Sequence, residues 1–268
     1  MAARRRRAFS TLLTDPDPTT AAIGRALEAA QAQRCTPEEL VWVERIEALR
    51  DELKVSEEVL ETSHFEWTGD EADRERVRLK PVSLLAESTS KPRRWGVLMM
   101  KLVRELDSRR CLELGTCIGV SAAYQGAGLE LNGNGGRLVT LEADSNRARV
   151  ARRNLDALGL DAVELRLGRF QETLDPVLDE APVDFAFIDG HHQEEPTLDY
   201  FERVSGHATR PAVLLFDDVG PRLEGMLRAW RRICADPRVM VAVQARSLGI
   251  CVLGEGPKRE PLDCPLFA

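Results

Sequence analysis

The strongest constraint in this sequence is a change of rhythm at residue 110. From there, short apolar runs alternate with amphipathic stretches of helical period. Strands are predicted at Arg110–Leu114, Arg137–Leu141, Ala162–Leu167, Val183–Ile188, Ala212–Phe216, Val239–Val243 and Ile250–Leu253. Helices are predicted between them at about 119–130, 144–158, 171–180, 194–206 and 222–235, while the last two strands follow each other with no helix. Alternating strand and helix implies a mostly parallel sheet with helices on both faces. In such sheets a ligand sits beyond the carboxyl ends of the strands, where the strand order reverses. The residues just after each strand are therefore the candidates for function.

The N-terminal part reads differently. Residues 1–18 lack a clear pattern, carry Arg4 to Arg7, and end in the turn signal Asp15-Pro16-Asp17-Pro18. They are expected to form a disordered basic tail. Thr36-Pro37-Glu38-Glu39 is a capping box with proline at the first helical position. Leu40, Val43, Ile46, Leu49 and Leu53 follow at helical spacing, which predicts a helix running to about Leu60. His64-Phe65-Glu66-Trp67-Thr68-Gly69-Asp70 breaks the pattern, and a second helix is predicted from Trp95 to Leu106. The chain thus divides into a tail (1–18), a helical extension (19–95) and an α/β domain (96–268).

Composition narrows the functional classes. The chain has 268 residues, and a hydrophobic fraction of 43% argues against wholesale disorder. The 37 basic residues against 44 acidic ones leave a net charge of −7, which disfavours a nucleic-acid partner. Ten acidic residues and no Lys or Arg fall within 170–202, so the acidity is local. Its field is expected to favour a cation over a polyanion. No run of about 18 apolar residues is present, so no membrane helix is expected. Arg4–Arg7 are followed by no apolar segment of a secretory signal. The six cysteines include no CxxC pair and read as small buried hydrophobes in a reducing compartment. A cytoplasmic location is expected.

The strand ends carry the chemistry. Glu113-Leu114-Gly115-Thr116-Cys117-Ile118-Gly119-Val120-Ser121 follows the first strand. Gly115 and Gly119 permit a tight turn and close backbone approach to a ligand. The following helix offers free N–H groups to an anion. The spacing is GxxxG, not the GxGxxG of dinucleotide enzymes. Glu142 ends the second strand, where a carboxylate can accept hydrogen bonds from both hydroxyls of a ribose, while Asp144 reads as the cap of the next helix. Gly168-Arg169-Phe170-Gln171 can flank an adenine by stacking and amide contact. Phe187-Ile188-Asp189-Gly190-His191-His192 and Phe216-Asp217-Asp218-Val219 end the next two strands.

With these motifs, the chain resembles the class I S-adenosylmethionine-dependent methyltransferases. It is most similar to small-molecule O-methyltransferases of the catechol O-methyltransferase type and their bacterial FIDGxH branch. The resemblance covers roughly residues 85–254 and implies a Rossmann-like, seven-stranded, mostly parallel α/β sheet with a helical N-terminal extension. It also implies S-adenosyl-L-methionine as cofactor, bound by Glu113, Gly115, Gly119, Ser121, Glu142, Phe170, Gln171 and Asp189. Ser121 would contact the methionine carboxylate. Asp189, Asp217 and Asp218 would hold Mg²⁺ or another divalent cation. His192, with Asp189, would be catalytic. The Asp217-Asp218 pair departs from the Asp-Asn of the catechol type, and His192 stands where that type has a lysine.

The chemistry asks for such a set. Methyl transfer from a sulfonium is an in-line displacement, so the enzyme must position the partners and make the acceptor nucleophilic. A hard cation with carboxylate ligands lowers the pKa of a bound hydroxyl, and a neutral histidine can take its proton. Converging carboxylates without a cation would repel each other and raise their own pKa values. Read alone, Asp189 is equally a turn residue and Asp217-Asp218 a helix cap. His191 and His207 read as surface or structural residues, and Phe65 and Trp67 as candidate lid residues. The expected partner is a small hydroxylated molecule, with a homodimer as a further expectation. Competing readings are a metal-independent N- or O-methyltransferase using His192 as base, a non-catalytic cofactor-binding module, and an RNA methyltransferase with Arg4–Arg7 as an arm.

Overall fold

A computed structural model describes residues 1–68 and 74–267. Three helices open the chain: α1 (Ala2–Leu13), α2 (Pro18–Gln31) and α3 (Pro37–Lys54). Local chemistry sets their starts. The Asp17 carboxylate accepts from the Thr20 N–H at 2.8 Å to cap α2. The capping box of α3 forms reciprocally: Glu39 accepts from the Thr36 N–H at 2.9 Å, and Thr36 Oγ1 accepts from the Glu39 N–H at 3.3 Å. An antiparallel hairpin follows, β1 (Val59–Glu66) with β2 (Arg74–Pro81). Then come α4 (Val82–Leu84), a π-helical turn at Leu85–Thr89, and α5 (Arg93–Glu105).

The α/β part alternates as expected: β3 (Arg110–Leu114), α6 (Val120–Asn132), β4 (Arg137–Glu142), α7 (Ser145–Leu158), β5 (Val163–Leu167), α8 (Phe170–Glu180), β6 (Val183–Ile188), α9 (Glu194–Gly206), β7 (Ala208–Phe216), α10 (Glu224–Ala235), β8 (Val239–Ala245) and β9 (Leu248–Leu253). A two-residue strand, β10 (Leu262–Asp263), adds an eighth strand at one edge, one more than expected. The strand order is β10-β8-β9-β7-β6-β3-β4-β5, with β9 antiparallel to both β7 and β8. The order reverses between β3 and β6, so the ligand crevice of this fold opens beyond Leu114 and Ile188.

The sheet is covered on both faces. One apolar cluster joins α5, α6 and the N-terminal helices through Leu12, Leu27, Leu98, Tyr124 and Phe187. The other joins α8, α9 and α10 through Leu174, Tyr200, Phe216 and Trp230. Each fully buried side chain of this size contributes about 1.5–3 kcal/mol. A buried ion triad locks the N-terminal helices onto this core. Glu39 meets Lys101 at 2.7 Å and Arg104 at 2.6 Å, so the capping carboxylate of α3 also docks α3 on α5.

Several N-terminal expectations are corrected. Residues 1–18 are not a disordered tail: α1 buries Ala8 and Leu12, and Gly24 lets α2 approach Leu12 closely. Helix α3 ends at Lys54 rather than near Leu60, because the chain turns at Val55 into β1. The extension is not wholly helical, since it contains the β1–β2 hairpin. Gly69 and Asp70 of the pattern-breaking segment lie outside the described residues. The acidic segment is also compensated in part. Arg203 pairs with Asp175 and Asp199, Arg110 and Arg166 with Glu180, Arg228 and Arg232 with Glu194, and Arg238 with Glu202. Arginines outside 170–202 thus answer five of the ten acidic residues, Asp175, Glu180, Glu194, Asp199 and Glu202.

Candidate active site

A cavity of about 460 Å³ lies at the strand-order reversal. Its floor is the turn after β3. Gly115 has φ of +103°, and a Cβ there would overlap the carbonyl oxygen of Asp189. Only glycine allows the β3 and β6 turns to close on each other in this way. Gly119, at φ +86°, precedes α6, and a Cβ there would sit 3.3 Å from Ala151 of α7. It does not line the cavity; it sets how closely α6 and α7 pack. Ser121, in the first turn of α6, does line it.

Glu142 ends β4 at the cavity wall, and both its carboxylate oxygens are engaged. Oε2 accepts from the Cys117 N–H at 2.8 Å and Oε1 from the Asp144 N–H at 3.0 Å. Burial raises its pKa, with Arg147 opposing. Asp144 caps α7 as expected, accepting from the Arg147 N–H at 2.6 Å. Glu113 is placed differently. It is fully buried behind the turn, accepting from Gln125 Nε2 at 2.7 Å and Thr140 Oγ1 at 2.6 Å. Burial pushes its pKa up to about 7, against hydrogen bonds from Thr140, Ser121 and Gln125. It braces α6 against the sheet and is not a cavity residue.

An aromatic wall closes one side. Phe170 meets His191 edge-on at 5.6 Å, and His191 Nδ1 lies 2.6 Å from Tyr200 Oη. Trp67 meets the same imidazole at 6.1 Å. Arg169 lies over the Phe65 ring at 4.7 Å, which brings the β1–β2 hairpin to the cavity. The Ser63 N–H donates to Asp144, and Asn146 donates to the Glu61 carbonyl at 2.8 Å, so the hairpin is pinned to α7. Gln171 and Phe65 line the cavity. His191 does so too, where the sequence suggested a surface or structural role. Its position two residues after Asp189 was the available signal.

The far side holds the polar groups. Asp189, His192, Asp217 and Asp218 line the cavity. His192 stands between two carboxylates, with Nε2 3.6 Å from Asp189 and Nδ1 3.8 Å from Asp218. Burial, together with the neighbouring Asp217 charge, raises the Asp189 pKa well above the usual range. The sequence reading missed the next residue: Lys91, in the loop before α5, forms an ion pair with Asp217. Burial opposes the Lys91 charge, but Asp189, Asp217 and Asp218 outweigh it and raise its pKa.

The expected divalent-cation site is not assembled by the side chains as they stand. Among the described residues, no three His, Cys, Asp or Glu side chains are placed to hold one ion. The reason is local. Lys91 sits on the Asp217 carboxylate, while Asp218, at φ +56°, turns toward His192 with a half-exposed side chain. Asp189, Asp217 and Asp218 therefore do not fit a shared metal as they stand. Of the six cysteines, Cys111, Cys251 and Cys264 are buried and Cys35, Cys117 and Cys234 half-buried, and among the described residues no helix is long and apolar enough to cross a membrane.

Comparisons with known proteins agree with this geometry. A family model described as a methyltransferase domain matches residues 112–219. A catechol O-methyltransferase of Mycobacterium tuberculosis is 37% identical over 125 residues, covering 46% of this chain and 54% of that protein. The chain thus spans about half the length of the curated relatives it matches. An O-methyltransferase from Bacillus cereus, solved in complex with SAH, is 29% identical with a TM-score of 0.54, covering 62% of this chain and 83% of that one. The cofactor-bound Rv0187 from MTB shares the fold with a TM-score of 0.57 at 21% identity, covering 91% of this chain and 100% of that one.

Proposed function

We propose that the chain is a class I S-adenosylmethionine-dependent methyltransferase of the catechol O-methyltransferase-like kind, the reading its similarities support, and that it transfers a methyl group to a hydroxyl of a small molecule. One observation carries the reading. The Gly115 turn, the Glu142 carboxylate, the Phe170–His191 wall and the His192–Asp189 pair meet at a single cavity, at the point where the sheet order reverses.

Each group has a task in that reaction. Glu142, held by two backbone N–H groups, keeps its carboxylate facing the cavity and accepts from the ribose hydroxyls. Phe170, His191 and Gln171 form the wall and edge contacts for the adenine. The N-terminal turn of α6, where Ser121 lines the cavity, receives the methionine carboxylate. The acceptor then lies between the methyl-bearing sulfur and the Asp189–His192–Asp217 side. His192 takes the proton of the acceptor hydroxyl, imidazole being the side chain suited to this near neutral pH. The acceptor oxygen forms a bond to the methyl carbon as the carbon–sulfur bond breaks. The electron pair stays on sulfur, giving S-adenosylhomocysteine. Because the carboxylates do not fit a shared metal, no step is assigned to one.

The test is transfer of labelled methyl from S-adenosylmethionine to a panel of catechols and simple phenols, with and without EDTA. Methylated catechol is expected in both conditions. His192→Ala is expected to lower turnover by about 10²–10⁴-fold, the usual contribution of a general base. Transfer to none of the hydroxylated acceptors, with transfer to an amine acceptor, would replace the reading by an N-methyltransferase.

A further inference from the structure

We propose that Lys91 is the resident cation of the acceptor site: its ammonium takes the place on Asp217 that a divalent ion would need and binds the acceptor oxygen directly. The proposal rests on the methyltransferase reading above. Its basis is a juxtaposition of elements that are remote in sequence. Lys91 belongs to the loop between the π-helical turn and α5, whereas Asp189, Asp217 and Asp218 end strands β6 and β7. Only the fold brings them together.

Three features make Lys91 a built-in group rather than a surface lysine that happens to find an acid. Its side chain is largely buried, at 19% exposure, and the Asp217 side chain it meets is at 5%. Its backbone is held on the side toward α5. Pro92 follows it as the residue before α5, and Arg50 donates to the Lys91 carbonyl from α3. Arg50 is in turn held by Glu47 at 3.5 Å, and Glu47 accepts from Tyr124 Oη at 2.7 Å. Finally, Lys91 lines the same cavity as His192 and Asp189. A lysine needed only to neutralise Asp217 could approach it from outside the cavity.

A single positive charge on a flexible stem can bind one carboxylate and still present N–H donors to an oxyanion. The acceptor hydroxyl gives its proton to His192, and the resulting oxyanion pairs with the Lys91 ammonium. The oxygen lone pair then forms the bond to the methyl carbon, the carbon–sulfur bond breaks, and its electrons remain on sulfur. No proton is lost by Lys91, and no co-reactant is required. The service a Lewis acid gives, stabilising the acceptor as its anion, is thereby supplied by the chain itself.

Two measurements on wild type, Lys91→Ala, Lys91→Met, Asp217→Ala and Lys91→Ala/Asp217→Ala test this. The first is Mn²⁺ binding followed by electron paramagnetic resonance. The second is methyl transfer to catechol in EDTA. S-adenosylhomocysteine binding serves as the fold control. Wild type is expected to show no Mn²⁺ site that depends on Asp217. Lys91→Ala is expected to bind Mn²⁺ at least about tenfold tighter, and the double variant to lose that gain. Lys91→Ala and Lys91→Met are expected to lose about 100-fold or more in EDTA turnover while S-adenosylhomocysteine affinity holds. A wild-type Mn²⁺ site abolished by Asp217→Ala, or Lys91→Met turnover equal to wild type in EDTA, would overturn the proposal and leave the methyltransferase reading standing. Absence of S-adenosylhomocysteine binding in wild type would overturn both.

Discussion

Gly115 and Asp189 meet backbone to backbone. The turn after β3 lies so close to the turn after β6 that a Cβ on Gly115 would overlap the Asp189 carbonyl oxygen. The Asp189 N–H donates to the Leu114 carbonyl at 2.9 Å, so the same contact fixes the floor of the crevice. Gly115→Ala combines this overlap with an unfavourable φ of +103°. It is expected to weaken S-adenosylhomocysteine binding about 100-fold or more and to lower stability by about 1–3 kcal/mol. Calorimetric titration and thermal melting check both.

Glu142→Gln keeps the shape of the wall and removes its charge. One of the Cys117 and Asp144 N–H groups then faces an amide NH₂ rather than an oxygen. Cofactor affinity is expected to fall about 10- to 100-fold, the size of a lost charged hydrogen bond, with the melting temperature less affected. Equilibrium dialysis with labelled S-adenosylmethionine reads the change.

Glu113 gives the fold a pH dependence. Its pKa rises from an ordinary 4.5 to about 7 in the folded chain, mainly through burial. The folded state therefore holds the proton more tightly than the unfolded one. The contribution is fully present below pH 4.5 and is lost as pH rises through 7. The loss is on the order of 3 kcal/mol. Glu113→Gln can still accept from Thr140, and it is expected to flatten the fall in stability between pH 5 and pH 8 seen for wild type. Urea melts across that range measure it.

The α/β part was legible because its signals are local. The Ala212–Phe216 part of β7 is an uninterrupted, buried apolar run, and the glycine turn and the Asp189 motif follow directly on strands. The hairpin was not legible, because β2 reads Arg74-Glu75-Arg76-Val77-Arg78-Leu79-Lys80-Pro81 and is almost wholly exposed. With no buried face, period-two alternation carries little weight. Helix α1 was hidden by Arg4–Arg7, although Ala8 and Leu12 lie one turn apart and are buried. Lys91 was hidden for another reason: its partner Asp217 is 126 residues away. Carboxylates at strand ends suggested a positive charge, which the sequence reading assigned to a divalent cation.

Leu12→Ala probes whether residues 1–18 belong to the folded unit. Leu12 is fully buried, and its Cβ lies against Gly24 of α2. The substitution is expected to cost about 2–5 kcal/mol and to lower the melting temperature by roughly 5–10 °C. A detached tail would show no change in the same melt.

The most direct test of the central claim is calorimetric titration of the full chain with S-adenosylhomocysteine, repeated on Glu142→Ala. One molecule bound per wild-type chain, with binding weakened about 100-fold or more in Glu142→Ala, is the expected result. No heat of binding to wild type, or equal affinity for wild type and Glu142→Ala, would contradict the assignment of this cavity as a methyl-donor site.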